Sequence, residues 1–238
     1  MRVIGMDIHR SFAQVAVLVD GAVKQELRVD LTNDRFVKFA RTLEQTDVVV
    51  IEATGNSAAV EKLLRPFVTK VAVANPRLVR AIAFARVKTD KIDAGILARL
   101  YASGFLPEVW APDDETLHRR RLISERMAVL DQMVRLKSRV HAILHGNLLP
   151  KYDGHLFGKA GRKWLADLPV PADERLILER LLTDIERVAG QLDELDRNLA
   201  RQALADPRAR RLMTIPGIST IVATTVLASI GDIARFPT

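Results

Sequence analysis

Residues 3–31, VIGMDIHRSFAQVAVLVDGAVKQELRVDL, decide the fold. Val3 to Ile8 and Phe12 to Val19 are strand-like apolar runs, Asp20-Gly21 is a hairpin turn signal, and Val23 to Leu31 reads as a third, more polar strand. Three strands joined in this way make a meander. Downstream the pattern changes. Thr32 or Asn33 can cap a helix through about Leu43, Asp47 to Glu52 reads as a buried strand, Ser57 to Leu64 as a helix and Val68 to Val73 as another strand. Pro76 opens a helical segment through about Arg86, and Asp90 to Ser103 follows as a further helix. A meander followed by alternating helix and strand predicts an α/β fold with a mixed sheet and helices on its faces.

Four carboxylates stand out against this frame. Asp7 interrupts an apolar run, Glu52 ends another (Val48-Val49-Val50-Ile51), and Asp90 and Asp93 sit three apart near a helix start. Core strands rarely tolerate lone charges. Taken singly, each has an ordinary reading: a turn at a strand end for Asp7, an arginine partner for Glu52, an N-cap and dipole support for Asp90 and Asp93. Jointly they supply four hard oxygen donors from three distant segments, which suits a two-metal site for phosphoryl transfer. In this element order the Glu52 strand can lie parallel beside the Asp7 strand, with the Asp90 helix crossing their carboxyl ends. That is the ribonuclease H-like arrangement.

The chain has 238 residues, 48 % of them hydrophobic, enough for a sizeable core in one or two domains. It contains no cysteine, which excludes disulfides, thiolate nucleophiles and thiolate zinc sites. The N-terminus meets Asp7 too soon for a signal peptide, and no apolar run approaches the ~20 residues of a membrane span. The expectation is a soluble, cytoplasmic protein. Formal charge is +7, mostly from arginine, and pI is near 10.0. A basic, arginine-rich chain attracts polyanions, nucleic acid first among them.

Gly104, Pro107 and Pro112 mark a break after the sheet domain. From Asp113 to about Leu148 the pattern is helical, and a second long helix runs from about Asp173 to Ala205. In the latter, Leu178, Leu181, Ile185, Val188, Leu192, Leu195 and Leu199 alternate by threes and fours, a coiled-coil seam. The two helices can pair with each other or with a second copy. After Asp206-Pro207 a third unit begins, with Ile215-Pro216-Gly217-Ile218 between two helical segments, as in a helix-hairpin-helix. The expected domains are 1–104 for the sheet, 105–112 as linker, 113–205 for the coiled coil, and 206–238 for a C-terminal unit that stops without a cap.

Gly5-Met6-Asp7-Ile8-His9, Ile51-Glu52-Ala53-Thr54-Gly55, Asn75-Pro76 and Lys88-Thr89-Asp90-Lys91-Ile92-Asp93-Ala94 resemble the transposases of insertion-sequence family one-hundred-ten and the related Piv site-specific invertases. The resemblance runs on through Ile215-Pro216-Gly217-Ile218 and Ile230-Gly231-Asp232-Ile233, and the run around Asp90 is its most specific part. It implies a RuvC-like nuclease fold whose Asp-Glu-Asp-Asp tetrad maps to Asp7, Glu52, Asp90 and Asp93. It further implies a magnesium (or manganese) requirement, DNA recombination by strand exchange, oligomerisation through the coiled-coil insert and, in many members, a structured guide RNA. Arg10 stands where the pattern often has Lys. The family continues into a second catalytic region with a nucleophilic serine. The chain is expected to be truncated before that region, and Ser219 and Ser229 do not qualify.

Arg77, Arg80, Arg86, Lys88 and Lys91 flank the carboxylates and are the expected phosphate contacts. Arg119-Arg120-Arg121 and Arg208 to Arg211 are further basic clusters, with phosphate contact and solvated surface both open. His141 and His145 lack a third metal ligand and read as a solvated helix face. Gly55-Asn56-Ser57 lacks the Walker signature and reads as a sharp turn beside Glu52. The expected function is therefore a metal-dependent DNA transposase or recombinase; the rival is a non-catalytic nucleic-acid-binding remnant of a mobile element.

Overall fold

In a computed structural model, which describes residues 1–82 and 90–236, the chain divides into two units, Met1–Ala111 and Pro112–Thr238. The first begins with the meander. Strand β1 (Arg2–Ile8) pairs antiparallel with β2 (Phe12–Val19), and β2 with β3 (Ala22–Asp30). Asp20 and Gly21 both take positive φ, 48° and 80°, the turn geometry that matches strand twist in a two-residue hairpin.

Helix α1 (Asn33–Ala40) leads to β4 (Val48–Glu52), then α2 (Ser57–Leu64), β5 (Lys70–Ala74), α3 (Pro76–Ile82), α4 (Asp90–Ala102) and a two-residue strand, β6 (Glu108–Val109). The sheet order is β3-β2-β1-β4-β5-β6, with β1, β4 and β5 parallel and β6 antiparallel to β5. A meander whose first strand is continued by parallel β4 and β5 is the ribonuclease H-like sheet the sequence predicts. Strand β6 falls inside 105–112, the stretch expected as linker; two residues are too few to show a period.

Side-chain alternation divides the sheet residues between two cores. Ile4, Met6, Val15, Val49 and Ile51 face α1 and α2 through Phe36, Ala40, Val60 and Leu64. Val3, Leu18, Val48, Val50, Ala72 and Ala74 face α3 and α4 through Val79, Leu97 and Ala98. Beside the sheet, Asp47 is fully buried; it accepts hydrogen bonds from the Arg2 guanidinium at 2.7 Å and the Glu44 amide at 2.8 Å. It pins the start of β1 to the turn before β4.

In the second unit, α5 (Asp114–Gly146) and α7 (Ala172–Ala205) form a long helical hairpin, with α6 (Lys159–Ala166) at its tip. Asp113 caps α5, its carboxylate accepting from the Thr116 amide at 2.7 Å. The heptad seam of α7 is used within the chain. Leu178, Leu181, Ile185 and Val188 are buried against Val129, Met133, Leu136, Val140 and Leu144 of α5, with Leu192 and Leu195 packed alongside. Of the two pairings open in the sequence, the antiparallel one within a single chain is the one observed, so the seam expected to join two copies already has a partner.

Helices α8 (Pro207–Leu212) and α9 (Thr220–Ile230) pack on the open end of this hairpin through Ala203, Ala209 and Ala223. Asp206 is the joint: its carboxylate caps α8 through the Arg208 amide at 2.8 Å and pairs with the buried Arg119 and with Arg208. Arg120 donates to the carbonyls of Ala228 and Ser229 at 2.7 and 3.3 Å, closing the C-terminal end of α9. Arg119 and Arg120, read from sequence as part of a basic cluster, thus serve the packing of this unit; Arg121 is exposed. Among the described residues no helix is long and apolar enough to cross a membrane.

Candidate functional site

Strands β1 and β4 run in parallel register, Val3 beside Val48 through Met6 beside Ile51. One step further, Asp7 and Glu52 stand side by side at the two carboxyl ends, on the face that carries α3 and α4. Both are half-buried. The run of apolar residues before each carboxylate builds the strand, and the carboxylate emerges where the strand leaves the core.

Helix α4 crosses this face close to β1. A Cβ added to Gly5 would stand 1.9 Å from the Ala94 carbonyl oxygen and 3.0 Å from the Ala98 nitrogen, so only glycine admits the helix at this depth. The far end of α4 lies at the other edge of the sheet, where Lys70, the first residue of β5, places its Nζ 5.4 Å from the Tyr101 ring centroid. The helix therefore runs from its contact with Gly5 toward the amino end of β5. Asp93, partly buried, precedes the buried Leu97 by one turn and the buried Ala94 by one residue.

The side chains of Asp90 and Lys91 lie outside the described residues, as do Arg86 and Lys88 entirely. Arg77 and Arg80 are exposed on α3, which starts directly after β5, the strand next to Glu52. Asn75 fixes that start: its Oδ1 accepts from the amides of Arg77 and Leu78 at 3.0 and 3.3 Å, and its own amide donates to the Pro107 carbonyl at 2.8 Å. Among the described residues no three His, Asp or Glu side chains gather as ligands of one ion. In chemistry the donors nonetheless fit a hard divalent cation: carboxylate oxygens only, two of them on adjacent strand ends.

Two neighbours of Asp7 were not singled out by sequence reasoning. His9 Nε2 is 3.1 Å from Asp7 Oδ2, and its ring stacks on Phe12 at 4.4 Å, with the Arg28 guanidinium 3.7 Å from the Phe12 centroid. Asn56, in the loop after Glu52, donates to the His9 carbonyl at 3.3 Å and so ties the ends of β4 and β1 together. The second neighbour is Gln14, directly across from Asp7 on β2 and only 7 % exposed. Its signal was present in the sequence: it is the lone polar residue within the run Phe12 to Val19. His141 packs edge-on against Phe157.

The pattern of the DEDD-type IS110 transposases matches residues 4–147, and that of the IS116/IS110/IS902 transposase family matches residues 209–238. The chain belongs to the IS110 family of DEDD transposases. It is 27% identical over 191 residues to the transposase for insertion sequence element IS1328 of Yersinia enterocolitica, covering 78% of this chain and 55% of that protein. It is also 27% identical over 194 residues to protein y4qE of Sinorhizobium fredii, covering 78% and 45%. The chain spans about half the length of these curated relatives. Among solved structures, Thermus thermophilus RuvC is similar with a TM-score of 0.31 and 13% identity, covering 46% of this chain and 100% of RuvC. The fold itself is read from strand order and direction.

Proposed function

We propose that this chain carries the nuclease centre of a DNA transposase, with Asp7, Glu52, Asp90 and Asp93 acting on DNA phosphodiesters. The observation that supports it most directly is the register of β1 and β4, which sets Asp7 beside Glu52 at two adjacent strand ends. In this reading the four carboxylates would hold Mg²⁺ or Mn²⁺, which would supply charge stabilisation for attack on a phosphodiester.

The chain's own residues supply the rest. Apolar walls from Val50 and Ala74 limit water beside the carboxylates, and the Gly5 contact fixes how far α4 stands from the sheet. Arg77 and Arg80, exposed on α3, neutralise the DNA strand as it passes, a role shared in this reading with Arg86, Lys88 and Lys91. DNA is the partner, with a structured RNA as a second one in keeping with the family. Self-association in this reading uses a face of the α5–α7 hairpin other than the α7 seam, which is buried against α5.

Calorimetry with Mn²⁺ tests the site directly. Asp7→Asn and Glu52→Gln are each expected to abolish measurable binding while leaving the melting temperature nearly unchanged. Binding that persists in both variants would falsify the assignment. Metal-dependent nicking of supercoiled DNA by the unaltered chain, lost in Asp7→Asn, is the matching activity measurement.

A further inference from the structure

Gln14 sits in β2 with Asp7 as its Cα partner in the antiparallel register. Directly opposed residues of such a pair share one sheet face and bring their Cβ atoms to within about 4.5–5.5 Å. On this face the row runs Glu52, Asp7, Gln14, Arg28 across four strands, from β4 to β3. The first two residues are acidic and the last is a cation stacked on Phe12. Gln14 is the amide between them.

Its environment is unusual for an amide. The residue as a whole is only 7 % exposed, and among the described residues its side-chain amide makes no hydrogen bond, while its polar atoms keep some contact with solvent. An amide that keeps solvent contact and has no partner within the protein is placed to meet a ligand that enters the same face. Asp47, more deeply buried, is held within the protein, its Oδ2 accepting from both Arg2 and Glu44. An apolar residue at 14 would continue the pattern of Ala13, Val15 and Ala16, so folding alone gives no reason for the amide.

We infer that Gln14 is a ligand-contacting residue of the Asp7 site, its amide reserved for an oxygen bound there. This inference rests on the proposed metal-dependent nuclease reading. Such an oxygen comes from one of two sources, a water on the divalent ion or a non-bridging oxygen of the DNA phosphate. The amide serves either, since it donates through its nitrogen and accepts through its oxygen. Hydrogen bonds from such surrounding groups hold ligands in place around metal sites, and their loss costs about 10- to 100-fold in affinity.

The test uses the full chain with Gln14→Leu, and Gln14→Met as a second apolar replacement of similar volume. Two probes separate the sources: Mn²⁺ alone by calorimetry, and a fluorescent duplex oligonucleotide in Ca²⁺ by anisotropy. A Kd for Mn²⁺ raised about tenfold places the amide on the ion's water. An unchanged Mn²⁺ affinity with weaker oligonucleotide binding places it on the phosphate. In both cases the metal-free melting temperature should hold, because the amide makes no hydrogen bond within the protein; a merely structural glutamine would lower it. A lowered melting temperature in both variants, or no change with either probe, overturns the inference. Asp7→Asn in parallel separates the two failures. If Asp7→Asn abolishes Mn²⁺ binding and the Gln14 variants change neither probe, only the role of Gln14 falls. If Mn²⁺ binding survives Asp7→Asn, the site reading falls and takes this inference with it.

Discussion

The carbonyl oxygen of Ala94 occupies the space where Gly5 would carry a side chain, 1.9 Å from the ideal Cβ position. Backbone, not a flexible side chain, is what a substitution would meet. Gly5→Ala is therefore expected to destabilise the first unit by about 1–3 kcal/mol, the range for overpacking, and Gly5→Val by more. Because α4 must move to relieve the clash, Mn²⁺ affinity should fall together with stability. Urea unfolding and calorimetry on the same preparation check both, and a Gly5→Ala protein of unchanged stability would show that the helix sits less tightly.

Asp206 and Asp113 set the acid limit of the second unit. A side-chain hydrogen bond from Arg208, reinforced by Arg119, holds the Asp206 carboxyl well below its usual 3.8. The backbone amide of Thr116 does the same for Asp113. Both groups are depressed, so their contribution is complete above the unfolded value and is lost as pH falls through the folded ones. Helical circular dichroism should thus decline below about pH 4, and Asp206→Asn should flatten that decline. At neutral pH, Asp206→Ala leaves the buried Arg119 with only the exposed Glu115 as partner and should cost about 3 kcal/mol.

Substitutions in the α7 seam should unfold rather than dissociate. Ile185 is 2 % exposed and lies against α5 of its own chain. Ile185→Ala is expected to cost about 2–5 kcal/mol. The double variant Ile185→Asp with Leu192→Asp should lose much of the helical signal at any protein concentration. If sedimentation instead shows a stable, helical monomer derived from a dimer, the seam has a second occupant in solution.

The logarithm of DNA affinity should fall linearly with the logarithm of salt concentration, as counterion release predicts for a basic chain of formal charge +7. Arg77→Ala and Arg80→Ala are expected to lower the slope by about one each without altering the fold, since both are exposed. Slopes unchanged in both variants would move the nucleic-acid surface away from α3.

Much of the first unit was legible because its signals are local. Asp20-Gly21 announces the hairpin, and Val48-Val49-Val50-Ile51 is too apolar to be anything but buried. The position of Asp7 beside Glu52 follows once β1 and β4 are taken as parallel neighbours. Gln14 was missed because which face a residue takes depends on register, and register is a relation between strands rather than a property of one. Asp47 was read simply as the first strand residue, since nothing local announces a salt bridge to a residue 45 positions earlier. The heptads of α7 were plain, but a heptad seam does not name the helix that fills it.

Helix α5 has 33 residues, so at 1.5 Å per residue it is a rod about 50 Å long. The Arg119–Asp206 pair and the Arg120 cap lie near one end of that rod, and the loop with Tyr152 and α6 lies beyond the other. A tilt of about 5° at the ion-paired end, carried along a rigid helix of that length, displaces the far tip by about 4 Å. The unit thus has the proportions of a lever, with a fulcrum made of charge and a working end that converts small rotations into ångström-scale reach.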